Sequence, residues 1–374
     1  MTPVRILLLE HDHATYAELL RAAAPELQLV PGVQAGSEQA SACPIWLGQP
    51  DLLLPLLRQG LRPAWLQSTW AGITPLLGRD LPRDYRLSRA VGIFVQPMAE
   101  YVLTYLLAHR RRLLARLASQ VEQRWDNQAP PSLRGCRVLI VGAGDIGSEV
   151  ARLLALFGVE LRGIAREPRP IAPFAEVHGL DALATQAAWA DCLVNLLPDT
   201  RATRDLYDAP LFARMRGESL FINCGRGVAV VEADLVAALR SGLLAGAVID
   251  VCREEPLPPG HPFWDAPRLL LTGHSSAPTE PAALVALFLD NLQRYRDGQP
   301  LRGEVDFVIE DPSTGRTRAI EVKSGKNYRR HSALTNLLEA REIQEALVLH
   351  DGNLEVEGDR IYAPVYATHL AMRI

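Results

Sequence analysis

The run Val138-Leu139-Ile140-Val141-Gly142-Ala143-Gly144-Asp145-Ile146-Gly147 constrains this chain more than any other segment. It sets G-x-G-x-x-G between a strand over Arg137–Val141 and a helix over Ile146–Phe157, the context that gives the motif meaning. Gly142 permits the tight turn, Gly144 lets the backbone approach a pyrophosphate, and Gly147 lets the helix pack on the sheet. Asp145 and Ile146 lie where the turn meets the helix N-terminus, whose free N–H groups and positive dipole end suit phosphates. A further strand over Val159–Ile164 follows at βαβ spacing, which favours a dinucleotide site over a glycine turn with no ligand.

The end of that next strand selects the dinucleotide. A site for NAD usually has Asp or Glu there, to bind the ribose 2′-hydroxyl. This chain has Ala165 and then Arg166, with Arg169 close behind. Arginine suits a 2′-phosphate through charge-assisted hydrogen bonds, so NADP(H) is the preferred cofactor. Glu167 could supply the missing acid, which leaves NAD(H) as the alternative.

Upstream, Val4–Leu9 is a nearly continuous apolar run, as in a strand buried on both faces. A helix over Ala14–Ala24 stops at Pro25, and strands over Pro44–Leu47 and Ala64–Ser68 flank a helix around Leu52–Arg58. Gln96 to about Arg124 reads as one long helix, with Arg110–Arg112 as a solvated or subunit-facing band and Asn127–Ser132 as a linker. Strands over Asp191–Leu196, Ser219–Asn223, Gly246–Val251 and Arg268–Thr272 continue the βα alternation, and a last helix over Glu280–Asp297 packs back on the first domain. The net charge of −4 gives no reason to expect a polyanion partner. The five cysteines are scattered and read as small buried hydrophobes in a reducing compartment. No leader and no membrane-length apolar run stands out, so the chain reads as cytoplasmic.

Three further segments carry chemistry: Phe221-Ile222-Asn223-Cys224-Gly225-Arg226-Gly227, Val248-Ile249-Asp250-Val251-Cys252-Arg253-Glu254-Glu255-Pro256, and Thr272-Gly273-His274-Ser275-Ser276. Together they resemble the D-isomer-specific 2-hydroxyacid dehydrogenase family, and within it the glyoxylate/hydroxypyruvate reductases, over about residues 1–305. The resemblance implies a hydride transfer from NAD(P)H to the keto carbon of a small 2-ketoacid. It makes Arg226 the carboxylate and keto-oxygen ligand, through a planar fork that lysine lacks. His274 is the general acid, and Glu255 pairs with it and favours the imidazolium. Asp250 lies on the nicotinamide side and steadies the site, and Leu197, Pro198, Cys224, Gly225 and His274 also line the cofactor. In the first domain, Ala71 and Gly72 follow a strand and offer backbone N–H groups to the substrate. Trp46 and Trp70 either wall the pocket or pack. Gly273 departs from the family's usual proline and is expected to loosen the loop. Trp125 follows the long helix, where relatives exchange arms, and implies a homodimer.

The expected architecture is α/β, with a flavodoxin-like substrate domain (1–96 and 276–303) and a Rossmann domain with a dimerisation helix (97–275). The two would close over the substrate. Residues 304–374 form a small appended α+β tail. Every basic residue before 304 is arginine, and the only lysines, Lys323 and Lys326, lie in that tail. Glu304–Ile309 and Arg318–Lys323 read as a hairpin, followed by a helix over His331–Arg341 and strands over Ala346–Leu349 and Ile361–Tyr366. Asp306 and Glu321-Val322-Lys323 resemble the C-terminal PD-(D/E)XK nuclease-like end of a bacterial ATPase family. In a working nuclease Asp306 and Glu321 would hold Mg²⁺ and Lys323 would assist a water; a surface Glu–Lys pair is the plainer reading, and nucleic acid is not an expected partner. A catalytically silent NADP(H)-binding sensor is the alternative for the main body.

Overall fold

The computed structural model of the protein describes residues 4–78 and 80–305, and beyond them five strands within 308–364. The chain divides into two compact units, Met1–Ile93 with Thr279–Ile374, and Phe94–Pro278.

The first unit opens with β1 (Arg5–Leu9), α1 (His13–Ala23), β2 (Gln28–Gly32), α2 (Ser37–Ser41), β3 (Ile45–Gly48), α3 (Pro50–Arg58), β4 (Trp65–Ser68) and β5 (Arg86–Ser88). The strands run parallel in the order β2-β1-β3-β4-β5, the flavodoxin-like winding. Ile6–Leu9 are all within 1% of complete burial, which explains an apolar run without alternation. The sequence pattern misses β2 because this strand pairs only with β1; an edge position tolerates its Pro31 and its polar Gln28.

The second unit holds α4 (Val95–Arg110), α5 (Leu113–Val121), β6 (Arg137–Val141), α6 (Asp145–Ala155), β7 (Glu160–Ile164), β8 (Glu176–His178), α7 (Leu183–Trp189), β9 (Cys192–Asn195), α8 (Ala209–Phe212), β10 (Leu220–Asn223), α9 (Glu232–Arg240), β11 (Gly246–Ile249) and β12 (Leu269–Leu271). Its seven parallel strands lie in the order β12-β11-β10-β9-β6-β7-β8, the doubly wound dinucleotide-binding arrangement extended by one strand. Apolar cores pack on both faces of this sheet, one around Phe212, Phe221 and Leu239, the other around Val102, Val138 and Leu154.

The expected single helix over 96–124 is two helices. Arg112 adopts φ 57, a left-handed conformation that ends α4 before α5 begins. The arginine band is not simply solvated. Arg110 donates to the Ser132 carbonyl, Arg112 pairs with Asp126 at 3.6 Å, and Arg116 donates to the Asp126 and Gln128 carbonyls. These contacts fold the linker back along the helices.

The chain then returns to the first unit with α10 (Pro281–Arg296), which packs on α1, and β13 (Glu304–Val305), antiparallel to β5. Glu304 accepts from Arg86 at 2.7 and 2.9 Å and from the Leu301 N–H, so the last residues of the first sheet are firmly bound. The strand expected over 304–309 is therefore split between two sheets. Beyond it, β14 (Val308–Glu310), β15 (Thr317–Val322), β16 (Glu345–His350), β17 (Glu355–Glu357) and β18 (Arg360–Pro364) form a separate sheet in the order β14-β15-β16-β18-β17. β14 and β15 pair antiparallel, as the hairpin reading expects, and Glu321 lies in β15. Asp306, Lys323 and the helix expected at 331–341 lie outside the described residues.

Candidate active site

The glycine loop has the shape a pyrophosphate needs. Gly142 has φ 110, and a Cβ there would sit 3.1 Å from the Leu196 carbonyl carbon. A Cβ on Gly147 would come within 2.2 Å of the Gly142 carbonyl oxygen, so α6 approaches the turn as closely as it does only without a side chain. Gly144 faces open space, and no side chain caps α6. The N–H groups of Asp145 and Ile146 have no partner among the described residues, as at any uncapped helix start. Ala165 donates to the His178 carbonyl, which fixes the end of β7, and Arg166 beyond it is exposed. Glu167 lies 3.6 Å from the Arg166 guanidinium, paired with it across the surface.

Where β9 and β10 end, two fully buried asparagines set the loops. Asn195 donates to the Asn223 side chain at 2.8 Å; its Oδ1 accepts from Tyr207 Oη at 2.9 Å and from the Leu197 N–H at 3.1 Å. Asn223 in turn accepts from the Gly225 N–H and donates to the Arg226 carbonyl. A Cβ on Gly225 would stand 2.7 Å from the Leu197 carbonyl oxygen, so Leu197, Pro198, Cys224 and Gly225 share one crowded rim. Burial pushes the Cys224 thiol far above its usual range, which leaves it as packing.

Arg226, Glu255 and His274 line one pocket of about 190 Å³, together with Asp199, Gly227, Val228, Val251, Cys252 and Arg253. Arg226 spends one donor on the Gly225 carbonyl at 2.7 Å, and its other N–H groups have no partner among the described residues. His274 Nδ1 and Glu255 Oε2 are 2.7 Å apart. That hydrogen bond raises the His274 pKa against partial burial, which opposes it. Burial works against ionised Glu255, but the bonds from His274 and the Cys252 N–H outweigh it and hold the carboxyl below its usual value.

Asp250, 2% exposed, is spent on the histidine loop. Its carboxylate accepts from Thr272 Oγ1 at 2.6 Å, from the Ser275 N–H at 2.8 Å and from the Ser276 N–H at 3.1 Å, while its carbonyl accepts from the His274 N–H at 2.6 Å. These bonds hold the loop on both sides of Gly273. Gly273 and His274 both take left-handed φ, 60 and 55, and proline's fixed φ cannot occupy the first of these.

Sequence reasoning overlooked Arg253. Its Nε donates to the Val230 carbonyl at 2.8 Å and its Nη2 to the Val228 carbonyl at 3.0 Å, and it pairs with Asp205. A Cβ on Gly227 would lie 2.0 Å from the Cys252 carbonyl, so Arg253 and Gly227 together lock the Arg226 loop to the Glu255 loop. Asn195 and Asn223 had a visible signal, a polar residue ending each of two buried apolar strands; Arg253 had none.

In the first unit, Thr69 and Trp70 donate their N–H groups to the Gly48 carbonyl and Ser68 Oγ, whereas those of Ala71 and Gly72 have no partner among the described residues. Trp70 is 36% exposed. Trp46 is a correction: it is fully buried in the sheet core, with Nε1 donating to the Ala40 and Cys43 carbonyls, and so packs rather than faces a substrate.

Comparison with known proteins fits this geometry. Residues 103–276 match the family model described as D-isomer specific 2-hydroxyacid dehydrogenase, NAD binding domain. The glyoxylate/hydroxypyruvate reductase A of Photorhabdus laumondii is 31% identical over 306 residues, 80% of this chain and 96% of its own length. This chain belongs to the D-isomer specific 2-hydroxyacid dehydrogenase family. It is thereby an NAD(P)-dependent oxidoreductase. A crystal structure of a family member from Aeromonas salmonicida superposes with TM-score 0.76 at 37% identity, covering 82% of this chain and 99% of that one. The NADPH-dependent glyoxylate/hydroxypyruvate reductase of Sinorhizobium meliloti, solved with NADP and sulfate, gives TM-score 0.71 at 29% identity, covering 81% and 98%. Among the described residues no helix is long and apolar enough to cross a membrane.

Proposed function

We propose that the protein reduces a small 2-ketoacid of the glyoxylate/hydroxypyruvate type to its 2-hydroxyacid, with NADPH preferred over NADH. The observation that carries this reading is the His274–Glu255 pair at 2.7 Å, sharing a pocket with the free fork of Arg226. NADPH, when bound at the glycine loop, supplies the hydride. In the second unit Arg226 holds the substrate carboxylate and keto oxygen; in the first unit, taken by itself, the Ala71 and Gly72 N–H groups are donors for a carboxylate. His274, protonated and oriented by Glu255, gives its proton to the oxygen that becomes the hydroxyl. Asp250 and Arg253 position those groups. The test is loss of reduced-nicotinamide absorbance with glyoxylate and with hydroxypyruvate; NADPH binding without turnover on either acid would favour the silent-sensor reading.

Arg166 decides the cofactor preference, with Arg169 as a second cation for the 2′-phosphate. Loss of one charge-assisted contact is worth about 1.5–3 kcal/mol, so Arg166→Ala should raise the KM for NADPH by about 10- to 100-fold. The KM for NADH should stay within about twofold, since the 2′-hydroxyl offers no such contact. Equal losses for both cofactors would show that Arg166 shapes the loop rather than reading the phosphate.

The assembly we propose is a homodimer through α5. Leu113, Leu117 and Val121 recur every four residues along α5, are between 48% and 85% exposed, and lie beside exposed Leu114; Trp125, beyond the end of the helix, is 91% exposed. Such an apolar stripe on a polar chain marks a protein partner, and a second copy buries both stripes at once. Leu117→Glu should turn a dimer mass in solution into a monomer mass; a wild-type monomer would reject the assembly.

A further inference from the structure

Glu10 is a buried acid for which the proposed reaction has no use. It follows β1, at the point where the strand order of the first sheet reverses, and is 4% exposed. Ligands of open α/β sheets bind beyond the carboxyl ends of strands at such points. Three of these ends converge here. The Gln49 N–H donates to the Leu9 carbonyl and the Thr69 N–H to the Gly48 carbonyl, while a Cβ on Gly48 would lie 2.2 Å from the Leu9 oxygen. Glu10 Oε1 accepts from the Gln49 side chain and from the His11 N–H. Oε2 and the Thr69 hydroxyl have no well-formed hydrogen bond, although the hydroxyl is near enough to favour the ionised carboxyl. No cation pairs with Glu10 among the described residues. Its titratable neighbours are His11 and Tyr16, with Asp12 acting on Tyr16. From the α10 side, Thr279 donates to the Thr69 carbonyl, and Glu280 is the adjoining acid.

Thr69 leads, through Trp70, into the N–H groups of Ala71 and Gly72, which have no partner among the described residues. Three residues of chain span at most about 11 Å, so the Thr69 hydroxyl that acts on Glu10 lies within that reach of both N–H groups. We propose that Glu10 is a positioning residue of this loop that must be neutral for the loop to hold a 2-ketoacid carboxylate, so that substrate affinity falls as Glu10 ionises. The proposal rests on the assignment of Ala71 and Gly72 as carboxylate donors. Burial supports it by raising the Glu10 pKa, against the opposing effects of Thr69, His11 and Gln49. The neutral form therefore persists above the ordinary carboxyl range and is lost as pH rises further. Once ionised, Glu10 repels the substrate carboxylate through a poorly screened interior.

The experiment measures the glyoxylate KM at saturating NADPH from pH about 5 to about 8, in wild type and Glu10→Gln. Wild-type KM should rise about tenfold, equivalent to about 1.4 kcal/mol, while Glu10→Gln stays within about twofold and kcat follows the same profile in both. His274 titrates in both proteins, so their ratio isolates Glu10. Gln49→Leu removes a bond that favours the ionised form and should move the wild-type rise to higher pH. Parallel KM profiles in wild type and Glu10→Gln would overturn the proposal. Protection from thermal unfolding by oxalate, with NADPH present, repeats the comparison without turnover. If neither protein reduces glyoxylate but oxalate protection fades with pH in wild type alone, Glu10 has this role and the reductase reading fails. Protection that is absent, or that fades equally in both, overturns the role of Glu10.

Discussion

Replacement of His274 by alanine should lower kcat/KM for glyoxylate by about 10²–10⁴-fold, the range for loss of a positioned general acid. NADPH affinity should change little. The loop that carries His274 is held by Asp250 through Thr272, Ser275 and Ser276 and through the His274 backbone, so loss of the imidazole leaves the backbone pinned. Glu255→Gln tests the same pair more gently. The Glu255 hydrogen bond raises the His274 pKa, so the imidazolium persists to higher pH and reduction is lost only as pH rises through that raised value. Glutamine keeps a hydrogen bond and removes the charge, so the alkaline limb of kcat/KM should move to lower pH. An unmoved limb would mean that some other group is the acid.

Much of this site was legible because its chemistry demands particular residue types in fixed local contexts. Gly142 and Gly147 are required by close backbone approaches that the structure shows directly, while Gly144 faces the open space a ligand backbone approach would use. Arg226, Glu255 and His274 lie at or just beyond strand ends, in segments whose order carries the family resemblance, and the fold gathers them around one pocket. What escaped the sequence depends on tertiary placement. Trp46 sits in an apolar strand, and alternation alone does not say which face meets the core; its Nε1 found two carbonyls inside. The break at Arg112 left no trace in hydrophobic spacing, because α5 resumes the apolar repeat after one left-handed residue. Val305 and Val308 look like one strand, yet an antiparallel partner in β5 claims the first and β15 claims the second. Pairing partners are a property of the fold, and local composition does not name them.

The second large effect is expected at Arg226. Arg226→Lys keeps the charge and loses the planar fork, so kcat/KM should still fall by about 10²–10³-fold, as when one preorganised donor is removed from a reacting oxygen. The geometry says why the charge alone is not enough. One Arg226 donor is tied to the Gly225 carbonyl at 2.7 Å, which turns the remaining fork in a fixed direction. The loop beneath it is held by the Asn195–Asn223 bridge on one side and by Arg253 on the other. An ammonium on a flexible stem inherits none of that orientation. On the proposed reading the loss should appear in both kcat and KM, because the same fork would grip the carboxylate in the ground state and the keto oxygen as negative charge builds on it. A change confined to KM would restrict Arg226 to carboxylate binding and leave charge development to His274 alone. Arg253→Met separates orientation from contact: it leaves Arg226 intact but frees its loop, so it should lower kcat by about tenfold. A full loss on Arg226→Lys with no effect of Arg253→Met would mean that the Asn195–Asn223 bridge holds the fork without help.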